Sequence, residues 1–388
     1  MTIVALGAAL LAAAILLLAF GLYRRNVHQW IVPHTRRALA MARSGARDVG
    51  APVHVMFLFV DHYEPLAFGA DDELGRRRVQ RWIDEYPRLA SRFRDADGCH
   101  PKHSFFYPEE EYRPEYLNQL GELCRAGFGE VEVHLHHDND TAAGLSEKLN
   151  RFVGILHERH GMLPTKEGKP RFAFIHGNWA LDNSRCDGRW CGVDNELQVL
   201  AAHGCYADYT MPSAPDDTQT STVNSIYYAG DDPHAPKSHD TGIEVQVGGR
   251  PSGDLLIFQG PLALNWRRRK LGLWPKIENS DIEPHDVPMA ERVGIWLRQW
   301  VHVKGRPDWV FIKVHTHGAI EPNADWIFGG EGERLFEALQ QQCNDGRRFV
   351  LHYVTAREAY NIVKAAEAGE TGNPGRFRDY LLEPPAGH

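Results

Sequence analysis

Residues 131–140, VEVHLHHDND, crowd His134, His136 and His137 together with Glu132, Asp138 and Asp140. Val131, Val133 and Leu135 alternate with Glu132, His134 and His136, which is the two-residue period of a β-strand. Burying imidazoles and carboxylates side by side costs free energy unless something pairs with them, and a divalent cation is the simplest such partner. Three more segments have the same build, an apolar run ending in His or Asp: HVMFLFVDHYEP at 54–65, RFAFIHGNW at 171–179 and WVFIKVHTHG at 309–318. The expectation is one metal gathered where these strands end. Its candidate ligands are His62, His134, His136 and Asp138, with His137 and Asp140 competing. Glu64 is a further ligand, a partner that orients His62, or simply part of the loop leaving its strand. Imidazole and carboxylate suit zinc first, with manganese, iron, nickel or cobalt as alternatives.

The chemistry of such a site is hydrolytic. A metal with an open position lowers the pKa of a bound water and polarises a carbonyl. A separate carboxylate then takes the proton, and an acid protonates the leaving group. The strand ends supply all of these group types, Asp61, His315 and His317 among them.

Elements that must position these groups follow from periodicity. Strands are expected at 53–60, 103–107, 131–136, 171–177, 205–210, 309–317 and 348–355. Helical spacing separates them at 75–93, 115–126, 142–160, 196–203, 289–302, 332–343 and 356–368. Strands alternating with helices indicate a parallel α/β sheet or barrel. Residues 211–290 are rich in Pro, Gly, Asp and Ser, with short strands at 243–247 and 255–259, and read as an elaboration of the rim. Their basic run, 267–270, is a solvated loop or a surface for anions or a membrane. The polar tail 369–388 is expected to peel away from the body.

Composition narrows the class. A chain of 388 residues, 43% hydrophobic and 24% charged, is globular over most of its length, and a net charge of -8 argues against a nucleic-acid partner. The 21 histidines exceed what surface decoration needs. None of the six cysteines forms a CxxC pair, so free thiols in a reducing compartment are expected; Cys186 and Cys191 stay unassigned. Residues 3–22 carry no charge and would span about 30 Å as a helix. Without a basic leader or a small-x-small cleavage site, they read as an uncleaved anchor, residues 1–23, followed by a basic juxtamembrane segment, 24–50. Arg24, Arg25, Arg36, Arg37, Arg43 and Arg47 all follow the apolar run, which places the body, 51–368, in the cytoplasm. An exported orientation is the alternative.

In its order of motifs the chain resembles the polysaccharide deacetylase (NodB-homology) superfamily of carbohydrate esterases over about residues 53–360. Phe59-Val60-Asp61-His62 stands where the family has an apolar strand ending in Asp-Asp. His134 and Asp138 have the four-residue spacing of its His-Ser/Thr-x-x-His pair, and Ile175-His176-Gly177-Asn178-Trp179 is similar to its third motif. LQVLAAHGCYAD resembles the segment that follows, and Val314-His315, extended by Thr316-His317, its late Leu-x-His. Neither DD nor HxxxH is literally present. The resemblance implies a distorted (β/α) barrel and metal-dependent deacetylation. In that mechanism Asp61 is the base, His62 a ligand and His315 the acid, with a backbone N–H near Asn178 at the oxyanion.

The expected function is therefore a membrane-anchored, metal-dependent hydrolase that removes an acyl group, such as acetyl, from a sugar, polysaccharide or lipid-linked sugar. His176, Asn178 and Trp179, with Asp182 nearby, suit a sugar subsite; Trp179 packed under a loop is the alternative. Two other readings are a metal hydrolase cleaving a glycosidic or C–N bond and a glycan-binding relative without chemistry.

Overall fold

The computed structural model describes residues 2–45, 47, 50 and 52–385; parts of the expected juxtamembrane segment and tail lie outside them. Fifteen strands are found: β1 (Val53–His62), β2 (His103–Pro108), β3 (Gly129–Leu135), β4 (Thr165–Lys166), β5 (Lys169–Pro170), β6 (Phe172–His176), β7 (Cys205–Asp208), β8 (Ile226–Ala229), β9 (Ile243–Glu244), β10 (Leu255–Phe258), β11 (Ala263–Lys270), β12 (Trp274–Glu278), β13 (Val301–His302), β14 (Trp309–Thr316) and β15 (Phe349–Val354). The α-helices are α1 (Thr2–Tyr23), α2 (Val27–Ser44), α3 (Asp72–Ala90), α4 (Pro114–Leu123), α5 (Ala142–Gly154), α6 (Glu196–Ala202), α7 (Met289–Gln299), α8 (Glu321–Trp326), α9 (Gly332–Cys343) and α10 (Ala356–Glu367).

Eleven strands form one mixed sheet, in the order β13-β14-β1-β2-β3-β6-β7-β10-β8-β9 with β15 also on β1. From β14 to β10 the pairs are parallel. Parallel strands joined by helical crossovers bring their C-terminal ends to one rim, and the strand-end histidines ride there. β1 is central. β14 pairs its whole length, while β15 takes the first half of its other edge and β2 the second. Its near-continuous apolar sequence answers to cover on both faces. Val55, Phe57 and Phe59 pack with α3, α4 and α9, whereas Met56, Leu58 and Val60 face α10, Tyr209 and Phe258.

Three expectations are corrected. The barrel is not closed. β9 and β13, at the two ends of the sheet, are two residues long and do not pair with each other; a single bridge, Gln246 to Lys304, joins the chain beyond them. The run 267–270 is not a loop; it lies in β11, paired antiparallel with β12 in a separate ribbon.

The described part of the tail, residues 369–385, does not peel away either. Arg378 donates to Asp95 (3.0 Å), Asp97 (3.1 Å), Glu358 (3.1 Å) and Tyr353 O. Asn361 holds Arg378 O and Leu382 O, and Leu382 is buried. These long-range bonds satisfy backbone groups that a polar composition alone would leave to water. Residues 5–23 of α1 are long and apolar enough to cross a membrane and none is buried, a character shared with signal sequences.

One consequence of the docked tail is measurable. Burial works against the charge of Glu358, yet Lys102 (2.5 Å), Arg378 and Arg357 hold its carboxyl at about 2 against an ordinary 4.5. A carboxyl depressed in the fold contributes stability that is present above pH 4.5 and is lost as pH falls through 2. Glu358→Gln, which keeps the helix cap on Thr355, is expected to flatten the acid limb of a denaturation-midpoint profile while lowering the midpoint at pH 7. An acid limb as steep as wild type would show the network does not carry it.

Candidate metal centre at the strand ends

Side-chain alternation sorts the ionisable groups into two sets. On β1, His62 continues the Met56, Leu58, Val60 series, and Asp61 continues Val55, Phe57, Phe59. Residues two apart share a face, so His134 and His136 stand with His62, as do His315 and His317 from β14 and the turn after it.

The first set converges. Ring centroids are 4.9 Å apart for His62 and His134, 4.7 Å for His62 and His317, and 4.6 Å for His134 and His136. Glu64 Oε1 lies 3.1 Å from His134 Nε2 and 3.6 Å from His136 Nε2. Ligand atoms of His62, Glu64 and His317 fall within 4.8 Å of one another, and those of Glu64, His134 and His136 do the same. Two triads thus meet at one carboxylate.

The outer ring nitrogens are already engaged. His134 Nδ1 donates to Ile175 O (2.8 Å), His136 Nδ1 to Glu110, and His317 Nδ1 to Glu283 Oε1 (3.2 Å). Each bond anchors Nδ1 and turns Nε2 inward; against burial, Glu110 and Glu283 hold His136 and His317 above the ordinary imidazole range. His62 Nε2 and His315 Nδ1 are buried with no hydrogen-bond partner among the described residues. Burial first, then the charge of His317, keeps His62 neutral; burial, then Lys313, does so for His315. Burial opposes the charge of Glu64 as well, but the hydrogen bond from His134 and the surrounding imidazoles hold it at about 2. The side chains of Glu64, His317 and His136 remain 12%, 22% and 30% exposed, so the cluster is reached from solvent.

Trp179 walls the cluster, its ring centroid 5.8 Å from those of both His62 and His317. It sits with Asn178 in a turn where both have φ 55°. Asp138 is elsewhere: it is exposed, and its Oδ1 accepts Trp190 N (2.7 Å) and Asn139 N (3.0 Å).

Asp61 belongs to the other set. It is fully buried beside Trp82, its Oδ2 accepts His103 Nε2 (2.8 Å), and its Oδ1 accepts Gly318 N (2.7 Å). His176 is also fully buried and packs on His137, ring centroids 4.7 Å apart. Asp140 pairs with Lys148 (2.5 Å) and lies 3.2 Å from His137 Nδ1. Sequence does not mark Glu110, Glu283, His103 or Glu196: Glu110 follows the apolar end of β2 but among three consecutive glutamates, Glu283 stands in a polar loop, and the only signal for His103 is its place at the head of a strand.

No protein-family model matches the chain, and no curated protein does. Among solved structures it is similar to a "putative glycoside hydrolase/deacetylase" from Parabacteroides distasonis, at 10% identity, TM-score 0.42, covering 82% of this chain and 71% of that one. A GH57-type branching enzyme from the hyperthermophilic archaeon Pyrococcus horikoshii aligns at 9% identity and TM-score 0.37, covering 77% and 69%. A GH57 branching enzyme from Thermococcus kodakaraensis, in complex with glucose, aligns at 11% and 0.33, covering 75% and 68%.

Proposed function

We propose that the protein is a metal-dependent hydrolase that removes an acyl group from a carbohydrate. The observation that carries this reading is the meeting of imidazoles from β1, β3 and the turn after β14 on one carboxylate, with outer nitrogens tied down and inner ones turned toward it. The unpartnered, buried His62 Nε2 and an all-imidazole-and-carboxylate donor set fit a borderline divalent cation, zinc foremost. Glu64 would hold it together with imidazoles drawn from His62, His134, His136 and His317. Such an ion supplies an acidified water and a polarised carbonyl.

The chain's own groups do the rest. Asp61, with both oxygens engaged, is a positioning residue: through Gly318 N it fixes the turn that carries His317. His315, neutral and with a free Nδ1, is placed to relay a proton to the departing group. The indole face of Trp179 offers a sugar a stacking surface beside the imidazoles. A lipid-linked or nascent glycan at the membrane surface is the proposed substrate, with α1 as tether.

The test is acetate release from acetylated chito- and xylo-oligosaccharides, with metal content measured in parallel. Release that stops on chelation and returns with zinc is expected; release untouched by chelation, or none from any acylated glycan, would overturn the proposal. A related expectation concerns Glu110. Glu110→Gln removes the charged acceptor on His136 Nδ1 and should weaken metal binding about 10–100-fold with the fold unchanged. Competition with a fluorescent chelator reads this directly, and wild-type affinity would show that His136 holds no ion.

A further inference from the structure

Beneath the open cluster, in the helix-facing layer, lies a second and closed one. Ligand atoms of His137, His176, Cys191 and Glu196 fall within 4.8 Å of one another, and all four residues are buried. They come from three places: the end of β3, the end of β6, and the loop 177–195 with the first turn of α6. We propose that these four side chains bind a structural zinc ion, separate from the strand-end centre.

The geometry is close to what four-coordination demands. With Zn–N of about 2.0–2.1 Å and Zn–S of about 2.3 Å, tetrahedral ligand atoms stand roughly 3.3–3.7 Å apart. Here Glu196 Oε1 is 3.2 Å from His137 Nε2 and 3.5 Å from His176 Nε2, and Cys191 Sγ is 3.3 Å from Glu196 Oε2.

Proton placement argues the same way. His176 Nδ1 donates to Gly177 O, so its Nε2 carries a lone pair, is buried, and has no hydrogen-bond partner among the described residues. His137 is flanked by carboxylates on both sides, Glu196 at Nε2 and Asp140 Oδ2 at 3.2 Å from Nδ1. With one proton on that ring, one lone pair must face a carboxylate oxygen. A cation between His137, His176 and Glu196 turns these opposed lone pairs into ligands, and Asp140 then fixes His137 as its outer partner. Binding releases the Cys191 thiol proton to solvent as the thiolate coordinates.

An ion here has a structural task. The loop 177–195 holds Asn178, Trp179, Asp182, Asn183 and Trp190 at positive φ, a costly conformation for residues with a Cβ. The same loop carries Trp179 to the wall of the strand-end cluster, so the ion would pin the proposed substrate face from behind. No open position is left, which marks a structural rather than catalytic site.

The proposal does not rest on the function suggested above, and one experiment separates the two. The full chain is purified, its metal content counted, and zinc exchanged for cobalt. Cys191 is the only thiol in either cluster, so a thiolate-to-cobalt charge-transfer band in the near ultraviolet reports this site alone. Expected are a band in wild type that His62→Ala keeps, and its loss with one fewer ion per chain in Cys191→Ser. Should that variant not fold, zinc K-edge scattering on the wild-type protein must show a sulfur neighbour. A cobalt protein without the band, or zinc with only nitrogen and oxygen neighbours, overturns the proposal. The band without any ion lost in Glu64→Gln, which breaks both strand-end triads, would instead sink the strand-end centre and leave this site standing.

Discussion

Asp61→Ala should destabilise the protein by about 3–5 kcal/mol, since each of the two buried donors left without an acceptor costs roughly 1–3 kcal/mol. Asp61 sits at 0% exposure between His103 Nε2 and Gly318 N, and its removal leaves both donors buried without an acceptor. No water replaces it easily, because Trp82, Tyr86 and Phe105 pack around His103. Asp61→Asn should be far milder, near 1 kcal/mol. The amide oxygen still accepts Gly318 N, and its NH2 donates to the other tautomer of His103, so only that ring's Nδ1–H is left without a partner. Denaturant midpoints of the two variants measure the difference. Kinetics then separate positioning from proton transfer. As a positioning residue, Asp61→Asn keeps turnover within about tenfold and shifts it in step with stability. A fall of roughly 10²–10⁴ with an intact fold and full metal content would make Asp61 the general base instead.

Why this carboxylate's surroundings were hard to read from sequence is a matter of faces. Adjacent residues on a strand point to opposite sides, yet Asp61 and His62 were expected to serve one ion together. The same rule puts His134 and His136 on one side of β3, but which residues of β1, β3 and β14 share that side follows only from the strand pairing. The open edge of the sheet was illegible for a different reason. Closure depends on the length of the two terminal strands, and β9 and β13 are short for tertiary reasons that residue pattern does not encode. Cys191 and Glu196 stand in a loop and a helix start, with no periodicity to mark them. The tail's anchors, Arg378 and Asn361, are single polar residues whose partners lie up to 283 positions away. What sequence did reveal was the strands themselves, since an apolar run covered on both faces and ended by His or Asp has few other uses.

Glu64→Gln is expected to undo the strand-end centre more completely than loss of any one imidazole. Glu64 is the member shared by both triads, so neither can keep its ligand set without it. His134 and His136 both point Nε2 at Glu64 Oε1, and with a neutral amide there the only negative charge between them is gone. The loss is electrostatic more than steric: the amide keeps the volume and the bond geometry of the carboxyl. Metal content at this site should drop below one ion per chain, and hydrolysis should fall by roughly 10²–10⁴, equivalent to the several kcal/mol a Lewis-acidic ion contributes. His136→Ala leaves the His62–Glu64–His317 triad standing and should cost less. The ordering of the two variants is the decisive reading. Equal metal retention and turnover in Glu64→Gln and wild type would show that the imidazoles assemble around something other than Glu64, and the shared-carboxylate geometry would then have no part in binding.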